Sequence, residues 1–386
     1  MTMSCPTDPP RMLSVFSSFA VGGPQVRFTK LAAHFAGRFR HAIVAMDRDY
    51  ACRARMDPTL DVVYPAVPFC KGRTASNVVH FRKALRQLHP DVMVTNNWGS
   101  IEWAMCNVLP ITPHIHIEDG FGPEERDTQI PRRAWARYVL LRRCAVVVPS
   151  LTLRRIATES WGLPETHVHY IPNGIDCARF ARRVNRMNWP GTGTVIGTVA
   201  GLRPEKNVSR LILAVKWVAE RHAVRLVVVG DGPELPILRR LAGDLQLTDK
   251  VFFVGNVPTP EDYYASFDIF ALSSDTEQMP LSIIEAMAAG LPIAATAVGD
   301  VPTMVSDENY RFVTGRDDRS LAMALRALIV DRALLRRLGE ANQATAFSFY
   351  DEREMFLAYS RLLTANMRTP DPVKVASCQE GWSPNA

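Results

Sequence analysis

The sequence predicts an α/β protein made of two parallel-sheet domains that face each other across a cleft. Three observations lead there. Short apolar strands alternate with amphipathic helices along nearly the whole chain, the pattern of parallel sheets with helical crossovers. The alternation is interrupted at 177–194 by a polar, Arg-rich stretch with Pro and Gly punctuation, which reads as a linker. The length of 386 residues exceeds what one ordinary core serves, so two domains are expected. Their bounds are placed at 1–180 and 190–346, followed by a last helix at 347–366 and a disordered Pro- and Ser-rich tail at 367–386.

Composition narrows the class. A hydrophobic content of 47% with 22% charged residues reads as soluble and globular. No apolar run approaches the ~20 residues of a membrane-spanning helix. The first eleven residues lack the apolar core of a signal peptide. The seven cysteines are scattered without a CxxC pair, which argues against a disulfide framework or zinc site and for a reducing cytosol. Charge is uneven. Residues 1–180 hold 22 Lys and Arg against 15 Asp and Glu, while 181–386 hold 23 against 24. A basic first half suits a membrane surface or an anionic substrate, and generic solubility explains it equally. No recognised motif interleaves this charge with aromatic residues, so nucleic acid is not an expected partner.

The first strand, 13–17, runs into Ala20-Val-Gly-Gly-Pro24 and then a helix with Phe28, Leu31, Ala32 and Phe35 on its apolar face. Gly22 and Gly23 allow close backbone approach to a ligand, or form a plain tight turn. Further strands are expected at 41–46, 61–64, 91–96, 114–117, 145–148 and 168–171, with helices at 77–88, 101–108, 131–143 and 151–161. Polar residues just past strand ends are candidates by position alone: Asn97, Glu102, Glu118 and Asp119. The helix at 131–143 carries Arg132, Arg133, Arg137, Arg142 and Arg143 beside Trp135 and Tyr138. Two readings stand: it rests on anionic lipid, or it packs its aromatics inward and extends its arginines to water.

The second series has strands at 195–199, 226–230, 251–254, 268–271 and 293–296, and helices at 208–220, 261–266, 320–330, 332–346 and 351–365. Arg203 and Lys206 lie in a loop after a strand and before a helix, a pairing suited to a diphosphate. Gly230-Asp-Gly232 ends the next strand and permits close backbone approach. The stretch 273–292 opens as a polar loop with Glu277 and continues into a helix begun at Pro280 and ended by Gly290 and Pro292. Leu281, Ile284 and Ala288 form its apolar face, and Glu285 lies about a turn inside. A helix start offers unpaired N–H groups to an anion. Carboxylates beside such a seat make sense where they hold hydroxyls attached to that anion. There is no Walker A pattern and no acidic cluster for a divalent metal.

Together the residues Glu277-x7-Glu285 within EQMPLSIIEAMAAGLPIAATAVGDVP, GLRPEKN at 201–207, GDGPE at 230–234 and IPNGID at 171–176 resemble the retaining glycosyltransferases of family 4. The resemblance covers the chain to about residue 365 and implies the GT-B architecture of two Rossmann-like domains, with the last helix crossing back to the first. It implies a nucleotide sugar, UDP- or GDP-linked, on the second domain. Glu285 would hold the ribose, Glu277 the sugar hydroxyls, and Arg203 and Lys206 the diphosphate, with Gly232, Met279, Pro280 and Leu281 around them. Gly22 and Gly23 would close over the donor, and the base would lie near 254–258. Two departures stand out. Gln278-Met279 replaces the common Gly-Phe, and Asp119-Gly120 stands where members often carry His-Gly. A catalytic role for Asp119 is therefore an expectation, with His116 on the same strand as a second candidate. More narrowly, Asn97-Trp-Gly-Ser-Ile-Glu102 and Glu118-Asp-Gly-Phe-Gly-Pro123 are similar to sugar transferases of bacterial exopolysaccharide systems.

The expected activity is a metal-independent, retaining hexosyl transfer, without a cofactor, to a hydroxyl acceptor such as a lipid-linked intermediate. The expected location is cytoplasmic, peripheral at the inner face of the cell membrane. A nucleotide-sugar epimerase and a non-catalytic nucleotide-sugar-binding protein are the alternatives.

Overall fold

The computed structural model describes residues 9–121, 123–125, 128–182 and 187–367. Residues 1–8 and 368–386, which hold most of the stretches of the signal-peptide and disorder expectations, lie outside these. The chain divides into two compact units. One holds the described residues through Val148, then Leu153–Ile171, and those from Phe356 onward. The other holds 149–152 and Pro172–Met355.

The first unit is built on β1 (Arg11–Phe16), β2 (Arg40–Ala45), β3 (Val62–Val63), β4 (Val92–Asn96), β5 (His114–Ile117), β6 (Ala145–Val148) and β7 (Val168–Tyr170). They form a parallel sheet in the order β3-β2-β1-β4-β5-β6-β7. Helices cover both faces, so the central strands are buried almost throughout; β6 is wholly apolar, while β1 and β4 carry Ser14, Thr95 and Asn96 inside. On one face the helices Thr74–Leu88 and Ile101–Cys106 meet through Phe81 and Trp103, whose rings stack at 4.6 Å.

The second unit has β8 (Thr194–Val199), β9 (Val224–Val229), β10 (Val251–Gly255), β11 (Ile269–Leu272), β12 (Ile293–Thr296) and β13 (Val313–Thr314). They form a parallel sheet in the order β10-β9-β8-β11-β12-β13. The helix Leu281–Ala288 is buried more widely than the expected stripe. Ile283, Ile284, Ala286, Met287 and Ala288 have no exposure, and each large side chain here contributes roughly 2 kcal/mol by leaving water. Leu281 is only partly buried.

Three expectations are corrected. Residues 177–181 are not linker. They form a helix, Cys177–Ala181, capped by Asp176, whose carboxylate accepts from Arg179 N at 3.0 Å. Cys177 and Phe180 are buried in the second core, with Phe180 edge-on to Tyr264. Residues 183–186 of that stretch lie outside the described residues. The helix at 151–161 changes pitch, with α turns over Leu151–Arg155 and a π turn over Ile156–Ser160. The strand β13 was not expected; it is two residues long and only half-buried.

Candidate functional site

Strand order places β8 beside β11, and the chain winds away from this pair in both directions. The loops that leave two such strands diverge and open a crevice at the strand C-termini. After β8 comes 200–207, and after β11 comes 273–280. The two are laced together. Lys206 Nζ lies 2.6 Å from Glu277 Oε1, which also accepts from Ser274 Oγ at 2.8 Å. Arg210 donates to Ser273 O and Asp275 Oδ1, each at 2.7 Å, and Asn207 donates to Asp275 Oδ2 at 3.1 Å. Asn207 sits at φ 41, and its side chain caps the helix Val208–Ala219. Lys206 and Glu277 are therefore a partly buried ion pair, with side chains 18% and 11% exposed. Arg203 is different: its side chain is 60% exposed and pairs with Glu205, at 3.1 Å.

The floor of the crevice explains several glycines. A Cβ on Gly232 would come 2.4 Å from Leu202 O, so the loop after β9 lies directly on the loop after β8. Gly299, at φ 52, brings the loop after β12 against Glu277, where a Cβ would meet Glu277 O at 2.3 Å. Asp300 N donates to Gln278 O at 2.9 Å from the same loop. Met279 is buried, and its carbonyl accepts from Asn173 Nδ2 at 3.1 Å, which gives the 171–176 motif its purpose. Pro280 is the N-cap residue, and no side chain caps the helix that begins at Leu281. Ile283 N donates to Pro280 O at 3.2 Å, which leaves the N–H groups of Leu281 and Ser282 to face an anion. Glu285 accepts from the Tyr264 hydroxyl at 2.7 Å. Burial, reinforced by Glu285, raises the pKa of that hydroxyl well above its ordinary value.

In the first unit the comparable loops follow β1, β4 and β5. Gly22 precedes the helix Gly23–His34, which also starts without a side-chain cap. A Cβ at Gly22 would meet only the flexible Gln25 side chain, so packing alone does not demand glycine there. Asp119 does not stand free. Its carboxylate pairs with Arg27 through contacts of 2.6 and 3.0 Å, and its backbone N donates to Asn97 Oδ1 at 2.7 Å. Arg27 is buried, and its pKa is raised; burial acts against the charge and is outweighed by Asp119 and Tyr359. Glu102 accepts from Thr74 and Asn77, at 2.5 and 2.9 Å, and braces two helices.

A second buried cluster escaped sequence reasoning. In the helix Pro131–Leu141 the reading with aromatics inward and arginines in water is reversed at two positions: Trp135 is 68% exposed, while Arg137 has no exposure. Arg137 donates to both Glu125 oxygens, at 3.0 and 3.1 Å. The rings of Trp98, Phe121 and Trp161 lie 4.9, 5.4 and 4.7 Å from its guanidinium carbon. Glu118 comes within 3.4 Å of its Nε. The available signals were the four-residue step from Arg137 to buried Leu141 and the acidic residues just upstream. No group of three or more His, Cys, Asp or Glu suited to a metal occurs among the described residues.

Comparison with known proteins fits this geometry. Residues 21–179 match the family described as Glycosyltransferase Family 4, and residues 181–345 match Glycosyl transferases group 1. The chain belongs to glycosyltransferase family 4. A GDP-mannose-dependent α-(1-6)-phosphatidylinositol monomannoside mannosyltransferase of Mycobacterium tuberculosis is 32% identical over 213 residues, 51% of this chain and 55% of that protein. An exopolysaccharide phosphotransferase of Streptomyces coelicolor is 31% identical over 269 residues, 68% of this chain and 27% of that protein. The chain thus spans about half, or less, of the length of these relatives. Among solved structures, Anabaena Alr3699/HepE in complex with UDP has a TM-score of 0.78 at 19% identity, covering 92% of this chain and all of that one. A glycosyltransferase of Rickettsia africae has a TM-score of 0.76 at 16% identity, covering 93% and 99%. These likenesses identify the fold of this family 4 chain as GT-B, with two Rossmann-like sheets.

Proposed function

We propose that the chain transfers a hexosyl group from a nucleoside-diphosphate sugar to a hydroxyl acceptor, with retention of anomeric configuration, in polysaccharide or glycoconjugate synthesis. The observation that carries this reading is the crevice at β8 and β11. There the Lys206–Glu277 pair, the glycine-floored loops and an uncapped helix start adjoin. The diphosphate takes Lys206, Arg203 and the N–H groups of the first turn at Leu281. Glu277 then exchanges Lys206 for sugar hydroxyls, and Glu285 holds the ribose. Met279, Pro280 and Gly232 shape the walls. As the glycosidic bond to the diphosphate breaks, these cations and amides stabilise the departing charge. No metal or other cofactor is assigned a part, so turnover should survive a chelator. Asp119 positions the loop after β5 through Arg27, and Gly22 and Gly23 offer open backbone to a substrate.

UDP- and GDP-linked sugars are the first donors to test. A thermal-shift panel of UDP, GDP, ADP and TDP sugars identifies the base by mass-action stabilisation. Release of the free nucleoside diphosphate, followed by NMR of the product's anomeric centre, then tests the chemistry. Product with inverted configuration would overturn the retaining mechanism. A stabilising nucleotide sugar that is never hydrolysed or transferred would favour a non-catalytic binding protein, a reading motivated by the Asp119–Arg27 lock. Isomerised donor without transfer would identify an epimerase.

We further propose a peripheral position at the cytoplasmic face of an anionic membrane, with a lipid-linked acceptor. The outer face of helix Pro131–Leu141 supports it by exposing Trp135 and Tyr138 between Arg132 and Arg142. No helix among the described residues is long and apolar enough to cross a membrane. Salt-sensitive co-sedimentation with anionic vesicles is the expected result, and no binding at low salt would refute it.

A further inference from the structure

A line of buried polar side chains runs through the first unit. Cys144 Sγ lies 2.9 Å from His114 Nδ1. His114 Nε2 lies 2.7 Å from Thr95 Oγ1, and Thr95 Oγ1 lies 2.8 Å from His116 Nδ1. His116 Nε2 then comes within 3.5 Å of Glu118 Oε2. The alternation of β5 puts His114, His116 and Glu118 on one face, and strand register sets Thr95 beside His116. Thr95, His116 and Glu118 have no exposure. Neither Glu118 oxygen accepts a hydrogen bond.

Thr95 has one hydroxyl proton between two imidazole nitrogens, so it donates to one ring and accepts from the other. Two arrangements satisfy the line. In the first, the Cys144 thiol donates to His114 Nδ1, His114 Nε2–H donates to Thr95, and Thr95 donates to His116 Nδ1. His116 is then neutral and turns Nε2–H toward Glu118. In the second, His116 is an imidazolium whose Nδ1–H donates to Thr95. Thr95 donates to His114 Nε2, His114 Nδ1–H faces Cys144 Sγ, and the thiol turns to Leu140 O, 3.6 Å away. A proton on His116 Nδ1 reverses every bond in the line. Burial, with His116 alongside, lowers His114 to about 3, so His114 carries one ring proton in both arrangements. The charges around the Glu118 end are Arg137 and, behind it, Glu125 and Arg133. Arg137 is already matched by Glu125 in two hydrogen bonds. Glu118 lies 3.4 Å from Arg137 Nε on one side and 3.5 Å from His116 Nε2 on the other, while Arg133 also pairs with Glu125.

We propose that Thr95 is a positioning residue, the joint that couples protonation of His116 beside Glu118 to the tautomer of His114. It thereby sets the ring face turned to Glu118, where the loop after β5 begins. Glu118 directly precedes Asp119, so a displaced Glu118 disturbs the clamp on Arg27. The consequence for turnover rests on the glycosyl-transfer reading, and the tautomer coupling does not.

The test is nitrogen-15 histidine NMR on the full chain across a pH titration. The expected result is one shared midpoint at which His116 gains its second proton and His114 switches from Nε2–H to Nδ1–H. A His114 tautomer that stays constant while His116 titrates overturns the coupling. Thr95→Val should separate the two events and Thr95→Ser restore them; a coupled change retained in Thr95→Val overturns the role of Thr95. If Thr95→Val does not fold, the wild-type and Thr95→Ser titrations still decide the coupling. In turnover, Thr95→Val should lower kcat roughly tenfold with the donor KM unchanged, since small misplacements of a site are costly. Unchanged kcat refutes positioning. A wild-type chain that transfers no sugar refutes the transfer reading and leaves the NMR result standing.

Discussion

Asp119→Asn keeps the shape of a side chain and removes its charge, which separates the two roles open to Asp119. The Asp119 and Arg27 side chains are 10% and 8% exposed, and their two contacts measure 2.6 and 3.0 Å. Removing one partner of a buried ion pair costs about 3–5 kcal/mol, because the other charge is stranded. The asparagine oxygen still accepts one guanidinium N–H, and the backbone bond to Asn97 persists, so about 2–3 kcal/mol is expected here. For a unit of this size that corresponds to a Tm fall of roughly 5–10 °C. Differential scanning calorimetry of Asp119→Asn, Arg27→Met and the double variant measures it. The double variant should recover about 2 kcal/mol, because it leaves no stranded charge. Asp119→Asn with an unchanged Tm and abolished transfer would refute the reasoning, since the carboxylate would then act on substrate and not on Arg27.

Three further outcomes are expected. His41 is 2% exposed, with neither ring nitrogen bonded, and burial, partly offset by Asp61, lowers its pKa to about 4. The folded value lies below the unfolded 6.5, so the unfolded chain takes up the proton first. Stability should be full above about pH 6.5 and fall by roughly 3 kcal/mol toward pH 4; urea melts of His41→Phe should lose that part of the slope, and an identical slope would refute it. Gly299→Ala strains a residue at φ 52 and drives a Cβ against Glu277 O. A loss of at least about 1 kcal/mol in stability is expected, with weaker nucleotide binding by calorimetry, and undiminished binding would detach this loop from the site. Arg137→Lys gives up the two-point bond to Glu125 and the packing on three rings. It should cost about 3 kcal/mol, read as a lower urea midpoint, and an unchanged midpoint would show that the cluster contributes nothing net.

Periodicity made the layers legible. The strands 114–117, 145–148 and 293–296 are legible to the residue: the first alternates His with Ile, the second is an apolar run and the third an apolar run closed by Thr296, each bounded by polar or turn-forming residues. What periodicity lacks is adjacency. Nothing in the spacing of residues says that β8 lies between β9 and β11, yet that order brings Lys206 to Glu277 across 71 positions of sequence. The 177–181 segment was misread for a related reason. Its composition is that of a linker, but Cys177 and Phe180 find room in a core assembled from distant strands. Charged residues are the extreme case. Composition sends an arginine to water, and only partners supplied by other elements reverse that. Arg137 draws on Glu125 twelve positions before it and Trp161 beyond its own helix. Arg27 draws on Asp119 from 92 positions away. The same dependence bears on Asp119 itself. A carboxylate at a strand end looks available from sequence, and its availability is decided by whether a buried cation already claims it. Substrate chemistry at that position must therefore either compete with Arg27 or work through it.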